Sequence, residues 1–133
     1  MIDIHAFFPV MVAENLTELK QFYTSVFGFE AVFFDANFYL HLVSPSSGIQ
    51  LGFLMPNHQS QPAFLHPLMS ASGYVISFEV ADAAKVYAQA LEMKLPMAMD
   101  LTHEQWGQIH FMLEDPAGFK IDIVEHQAAS TDE

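Results

Sequence analysis

The side chains best suited to binding a small molecule lie in two short stretches with an alternating pattern. One stretch contains Asn37, Tyr39 and His41, and the other contains Gln108 and His110. In an extended strand alternate side chains share a face, so each polar set points away from the apolar residues between its members. Amide, phenol and imidazole groups on one face suit ligand recognition. A solvent-facing half of an antiparallel sheet would show the same alternation.

Three other residues could contribute to such a site. Trp106, the only tryptophan, could form a flat wall against a planar or cationic ligand, or it could close the end of the core. Asp122 and Glu79 are carboxylates in predicted strands, and each could act as a general base if buried or could simply be paired or hydrated. The residues alone assign no catalytic role, so the catalytic residues stay unknown.

The sequence lacks the motifs of several common enzyme classes. It has no serine elbow, phosphate-binding glycine-rich loop, dinucleotide fingerprint or zinc-binding His-Glu-x-x-His helix. Cysteine is absent, which excludes disulfides, thiolate metal sites and a cysteine nucleophile. Hydrolase, nucleotide-binding and metalloprotease functions therefore have no support.

The charge of the chain limits its partners. The 133 residues include 16 acidic and 4 basic side chains, for a net charge of -12. Such a chain repels polyanions, so neither nucleic acid nor an anionic membrane surface is an expected partner. The first residues show no basic region followed by a long apolar stretch, and no apolar run is long enough for a membrane span. We expect a cytoplasmic protein.

Two segments predict the same strand and helix in succession. In the first, an apolar strand at 8–12 precedes Asn15 and Glu18, which form a capping signature in which Glu18 reaches back to the Asn15 amide. Apolar residues at helical spacing predict a helix from Leu16 to Phe27, ended by a left-handed glycine. In the second, a strand at 74–80 precedes the cap Asp82 and a helix at 83–93.

Three predicted strands follow each helix, with matching proline- and glycine-containing turns before the last strand. The economical interpretation is one domain with two equivalent βαβββ units. We expect the first unit at 1–55, a linker rich in proline, serine and glutamine at 56–73, the second unit at 74–126 and a flexible tail at 127–133.

Several motifs in this pattern resemble those of a known family. They are Asn15-Leu16 with Phe22-Tyr23, then 27–30 (Phe-Gly-Phe-Glu), 106–111 (Trp-Gly-Gln-Ile-His-Phe) and 115–122 (Asp-Pro-Ala-Gly-Phe-Lys-Ile-Asp). Over about 8–125 the chain is similar to the vicinal oxygen chelate superfamily of glyoxalases, bleomycin resistance proteins and extradiol dioxygenases. Its resemblance is strongest to the small glyoxalase and bleomycin-resistance-like members.

The resemblance implies an α+β fold in which two βαβββ repeats form a curved mixed sheet around a cavity, with helices on the convex side. Members are commonly homodimers and hold their ligand on the concave face. The family includes isomerases, oxygenases, thiol transferases and noncatalytic binders, so the fold alone does not select a reaction.

Metal-dependent members of this family carry histidine or glutamate ligands on the first and last strands of each half. The resemblance places Phe8 and Val75 at the first-strand positions, and Gly52 and Asp122 at the last-strand positions. One carboxylate cannot hold a divalent ion. The resemblance therefore predicts no metal and no cofactor.

A nonstandard metal site remains an alternative, because His41, His110 and Asp122 together are a recognised iron-binding set. The other interpretation is that both histidines are partly buried strand residues bonded to neighbours.

Three functions follow from these alternatives. The first is a metal-free binder of a small organic molecule. The second is a lyase, isomerase or dioxygenase that uses an altered metal site or a His110/Asp122 acid-base pair, and the third is an interaction protein whose concave face is filled. For the first, we expect the ligand to contact six residues: Tyr39, His41, Trp106, Gln108, His110 and Asp122.

Overall fold

A computed structural model describes residues 1–127, which form two compact units, Met1–Ser70 and the part of Ala71–Glu133 that is described. Each unit contains one βαβββ motif, as predicted. The boundaries expected for the linker and the tail stay predictions. Of the expected tail, Gln127 donates its amide to the carbonyl of Gly107 at 2.8 Å, and 128–133 lie outside the described residues.

The first unit is a four-stranded mixed sheet with one helix. Strand β1 is parallel to β4, and the order across the sheet is β1-β4-β3-β2 with antiparallel pairing elsewhere. Its elements are β1 (Val10–Val12), α1 (Leu16–Phe27), β2 (Glu30–Asp35), β3 (Tyr39–Val43) and β4 (Gln50–Leu54).

The second unit repeats this topology, with β5 parallel to β8 and the order β5-β8-β7-β6. Its elements are β5 (Val75–Glu79), α2 (Ala83–Glu92), β6 (Met97–His103), β7 (Gln108–Glu114) and β8 (Lys120–His126). The strand register confirms the equivalence of the repeats, because Tyr39 pairs with Leu54 and His110 pairs with Val124 at corresponding places.

The two helices begin differently, which corrects one expectation. Asp82 is extended and its carboxylate accepts the Lys85 amide at 3.1 Å, as a capping residue does. Asn15 instead adopts the left-handed conformation, with φ at 63°, and its side chain makes no capping hydrogen bond. The predicted capping box at Asn15 was therefore wrong, because its backbone does not have the extended conformation that such a cap requires.

Apolar side chains fill the space between each sheet and its helix. Tyr23 of α1 packs on Phe53 of β4 with ring centroids 5.6 Å apart, and Tyr87 of α2 packs on Phe111 of β7 at 5.1 Å. Leu40, Leu42 and Phe111 are fully buried, in agreement with the predicted apolar face, and Ile109 and Leu113 are buried with them.

Phe38 was expected on the same apolar face but is only half-buried. It precedes β3 and stacks on His58 with ring centroids 4.4 Å apart. The alternation that places Leu40 in the core applies only from Tyr39 onward, where the strand begins.

Between β4 and β5 the chain forms turns and one short 3-10 helix, Ala63–Leu65. No helix within residues 1–127 is long and apolar enough to cross a membrane.

Candidate functional site

The polar residues of the first sheet form a hydrogen-bonded chain on the face opposite α1. The Tyr39 hydroxyl lies 2.7 Å from His41 Nδ1, and His41 Nε2 lies 2.7 Å from Gln50 Oε1. With Gln50 Oε1 as the acceptor, His41 carries its proton on Nε2 and accepts from the Tyr39 hydroxyl. The ring of Phe8 packs edge-on against His41, with centroids 4.6 Å apart. Tyr39 and His41 are thus fixed by their neighbours.

Gly52 makes room for the Tyr39 side chain. A Cβ atom at position 52 would overlap the Tyr39 hydroxyl and lie 3.0 Å from the ring carbon that carries it. Gly52 pairs with His41 on one side and with Val10 on the other, so the Tyr39 phenol covers the centre of this face. Burial raises the pKa of Tyr39, and the phenol is therefore uncharged at neutral pH.

A hollow of about 290 Å³ lies beside Tyr39 on the same face. Strand residues Val10 and Leu54 share it with Tyr39, because all three point to the face opposite α1. The described residues that line it are Val10, Phe38, Tyr39, Leu54, Gln61 and Leu65.

In the second unit His110 is held between two carboxylates. Its Nδ1 lies 2.8 Å from Asp122 Oδ1 and its Nε2 lies 2.8 Å from Glu104 Oε2. The histidine is only 6% exposed. Both ring nitrogens can donate at once only when the imidazole is protonated, so the geometry favours imidazolium.

The electrostatics agree with this assignment. Burial by itself lowers the pKa of His110, but the hydrogen bonds to Glu104 and Asp122, together with their negative charges, outweigh burial and raise the pKa above its ordinary value. The cluster of one imidazolium and two carboxylates has a net negative charge when both carboxylates are ionised.

Trp106 and Gln108 form a second contact in this unit. The indole Nε1 donates to Gln108 Oε1 at 3.0 Å, and Gln108 Nε2 lies 3.4 Å from His126 Nδ1. Trp106 lies in the turn between β6 and β7, and 70% of it is exposed, so it does not close the end of the core. A larger hollow of about 610 Å³ includes Met112, Lys120 and Val75 on the same face of the sheet as His110.

The structure thus brings together three pairs of predicted site residues: Tyr39 with His41, Trp106 with Gln108, and His110 with Asp122. Sequence reasoning missed Gln50 and Glu104. The strand register could have suggested Gln50, because it lies on β4 two residues from Gly52 and therefore on the same face of the sheet. Glu104 gave no signal, since it precedes β7 in a turn where a carboxylate is ordinarily solvated.

The residues present do not fit the divalent ion of metal-dependent relatives. Phe8, Val75 and Gly52 offer no donor atom, and Asp122 is engaged by His110. The alternative set of His41, His110 and Asp122 does not fit a metal ion either. Both ring nitrogens of each histidine already have hydrogen-bond partners. Within the described part of the chain, no group of three or more His, Cys, Asp or Glu side chains could hold a metal ion.

Comparison with known proteins identifies the fold family. Among solved structures, a member of the glyoxalase/bleomycin resistance protein/dioxygenase superfamily from Sphaerobacter thermophilus is similar to this chain. Its TM-score is 0.72 and its sequence identity 21%, and the match covers 95% of this chain and 100% of that one. A lactoylglutathione lyase from Agrobacterium tumefaciens has a TM-score of 0.71 and 20% identity, covering 91% and 92%. A glyoxalase/bleomycin resistance protein/dioxygenase from Nocardioides has a TM-score of 0.73 and 12% identity, covering 98% and 88%.

At these identities the structural likeness shows the fold alone. No curated protein sequence gives a significant match. The profile of the glyoxalase/bleomycin resistance protein/dioxygenase superfamily matches residues 5–123, nearly the whole chain. The chain therefore belongs to the glyoxalase/bleomycin resistance protein/dioxygenase superfamily.

Proposed function

We propose that this protein binds a small organic molecule on the polar faces of its sheets, without a divalent metal ion. The observation that carries the proposal is the Tyr39 side chain over Gly52. Metal-dependent members have a carboxylate ligand at this fourth-strand position, whereas here a phenol and an adjoining hollow occupy the face. The proposed contact residues are Tyr39, His41, Trp106, Gln108, His110 and Asp122.

The polar clusters support binding because their side chains are already ordered. Tyr39, His41 and Gln50 are connected by hydrogen bonds, and so are Glu104, His110 and Asp122. A ligand that meets such groups has less side-chain entropy to overcome than one that must order them. The two hollows, of about 290 and 610 Å³, lie on these faces and are close to the range of small-molecule sites.

The same contacts favour binding over acid-base catalysis. A general base needs a free lone pair within reach of the substrate proton. His110 directs both ring nitrogens at carboxylates and is buried, so the His110/Asp122 pair is arranged as an ion pair. We therefore assign it a positioning role on the binding face.

The proposal includes a homodimer in the cytoplasm. Several large apolar side chains of the first unit are exposed, including Phe7 at 78%, Phe8 at 45% and Phe33 at 48%. Clusters of exposed apolar side chains commonly mark protein interfaces.

A screen of a small-molecule library by ¹⁵N–¹H NMR, followed by calorimetry on the compounds that bind, tests the binding function. We expect Tyr39→Phe to weaken binding of compounds at the first face by about 1–3 kcal/mol through a lost hydrogen bond. His110→Gln should weaken binding at the second face by a similar amount, because Glu104 and Asp122 lose the cation that holds them in place. Tyr87→Phe on α2 and His103→Gln on β6 are the matched controls and should bind as the original protein does. Unchanged affinity in both site variants, or no compound that binds either face, would overturn the proposal.

A further inference from the structure

The hollow beside Tyr39 is lined by uncharged side chains, although the chain as a whole is strongly acidic. Four of its lining residues, Val10, Phe38, Leu54 and Leu65, are apolar, and the remaining two are Tyr39 and Gln61. Among residues 1–127, no aspartate, glutamate, lysine, arginine or histidine lines it. The chain has 16 acidic residues and a net charge of -12, so a hollow lined by uncharged side chains stands out from its overall composition.

The walls of the hollow are held in place by hydrogen bonds. The Met55 amide donates to the Phe38 carbonyl at 2.8 Å, which fixes Phe38 at the end of β4. On the opposite rim, His66 Nε2 donates to the Gln61 carbonyl at 2.8 Å, and the Asn57 amide donates to the His66 carbonyl at 3.0 Å. These two hydrogen bonds hold in place the segment that carries Gln61 and Leu65.

We infer that this hollow binds an uncharged, largely aromatic molecule of one or two rings with one hydrogen-bonding group. This inference rests on the proposed small-molecule function and names the class of ligand. The hollow is partly open to solvent, and its volume of about 290 Å³ is roughly twice that of an enclosed apolar cavity that holds benzene, so it has room for one or two rings.

The lining chemistry selects an uncharged ligand. In the part of the chain that the structure describes, neither a carboxylate nor a basic side chain lines the hollow, so a cation or an anion would have no counter-charge there. An anion would also meet the unfavourable field of the acidic chain. The rings of Phe38 and Tyr39, whose centroids are 6.0 Å apart, offer aromatic surface. The Gln61 amide and the Tyr39 hydroxyl supply the polar contacts.

The test uses three probes of matched size and different charge: 2-naphthol, 2-naphthoate and 2-naphthylmethylammonium. We expect 2-naphthol to bind the full-length protein with shifts at the amides of Phe38, Leu54, Gln61 and Leu65 in ¹⁵N–¹H NMR. The charged probes should bind at least about tenfold more weakly, because the hollow would desolvate their charge without a counter-charge.

The second part of the test fills the hollow with a larger side chain. Val10→Trp should weaken 2-naphthol binding at least about tenfold by occupying the space, while Val32→Trp, at an exposed position of β2, should leave it within about twofold. If Val10→Trp does not fold, Leu65→Trp replaces it. Equal binding of the three probes, or Val10→Trp binding as well as Val32→Trp, would overturn the inference.

These outcomes separate the inference from the proposed function. If library compounds bind the polar faces but 2-naphthol does not enter the hollow, only the ligand class is wrong. If no compound binds either face, the small-molecule function itself fails.

Discussion

At the residue scale, the central contact of the second sheet is His110, a buried imidazole held between the carboxylates of Glu104 and Asp122. Both ring nitrogens donate to a carboxylate at 2.8 Å when the imidazole is protonated. In that state the side chain has no lone pair with which to coordinate a metal ion or accept a proton. In the first sheet the Tyr39 phenol lies over Gly52, where a Cβ atom would overlap its hydroxyl. Both sheets thus present fixed, hydrogen-bonded polar groups.

A pH dependence follows from the His110 contacts. Burial lowers the pKa of His110, but Glu104 and Asp122 raise it by more, so the folded-state pKa exceeds the unfolded value of about 6.5. The stabilisation from this proton is fully present below about pH 6.5 and is lost as pH rises through the folded-state pKa. We expect NMR titration to give His110 a raised pKa, and Asp122→Asn to lower that pKa.

The corresponding stability measurement uses His110→Gln. This variant should unfold more easily by about 1–3 kcal/mol at pH 5.5, and the difference should shrink above the folded-state pKa. Asp3→Asn, in the exposed N-terminal segment, is the control and should change neither the titration nor the stability. A His110 that titrates below 6.5 would contradict the ion-pair assignment.

The sequence predicted which side chains share a face but not their partners. Strand alternation correctly separated Tyr39, His41 and His110 from the buried Leu40, Leu42 and Phe111. The Glu104 contact was not predictable, because it depends on how the turn before β7 returns a side chain over the sheet. Neither was the Tyr39 contact with Gly52, which joins residues on two strands.

At the element scale, the two repeats share a topology and differ at their helix starts. Apolar periodicity, the left-handed glycine and the turn residues correctly predicted α1 at Leu16–Phe27 and α2 from Ala83 onward. The capping box at Asn15 was wrong, because sequence does not distinguish an extended asparagine cap from one in the left-handed region. Asparagine is favoured in both conformations, for different reasons.

This difference predicts an asymmetric response at Asn15. Because Asn15 has φ at 63° and no capping hydrogen bond from its side chain, glycine should replace it at little cost in stability. Alanine should be less stable than glycine there by about 1 kcal/mol, since its Cβ is strained in the left-handed region. Chemical denaturation of Asn15→Gly and Asn15→Ala checks this expectation. Alanine at least as stable as glycine would contradict the left-handed conformation of Asn15.

At the scale of the whole molecule, charge and family limit the function. The net charge of -12 disfavours anionic partners, and family membership gives the fold without a reaction. The repeats could be predicted from sequence because each half carries its own periodicity and turns. The hollows could not, since their linings combine strand residues with connecting segments whose paths no local pattern fixes.

The most direct test of metal-free binding is NMR screening of the small-molecule library with protein dialysed against EDTA and verified by elemental analysis. We expect compounds to shift the amides of Tyr39 and His41, or of Gln108 and His110, and added Zn²⁺ or Mn²⁺ to leave their affinities unchanged. Binding that begins only when a divalent ion is added, or about one ion per chain retained through dialysis, would contradict the account.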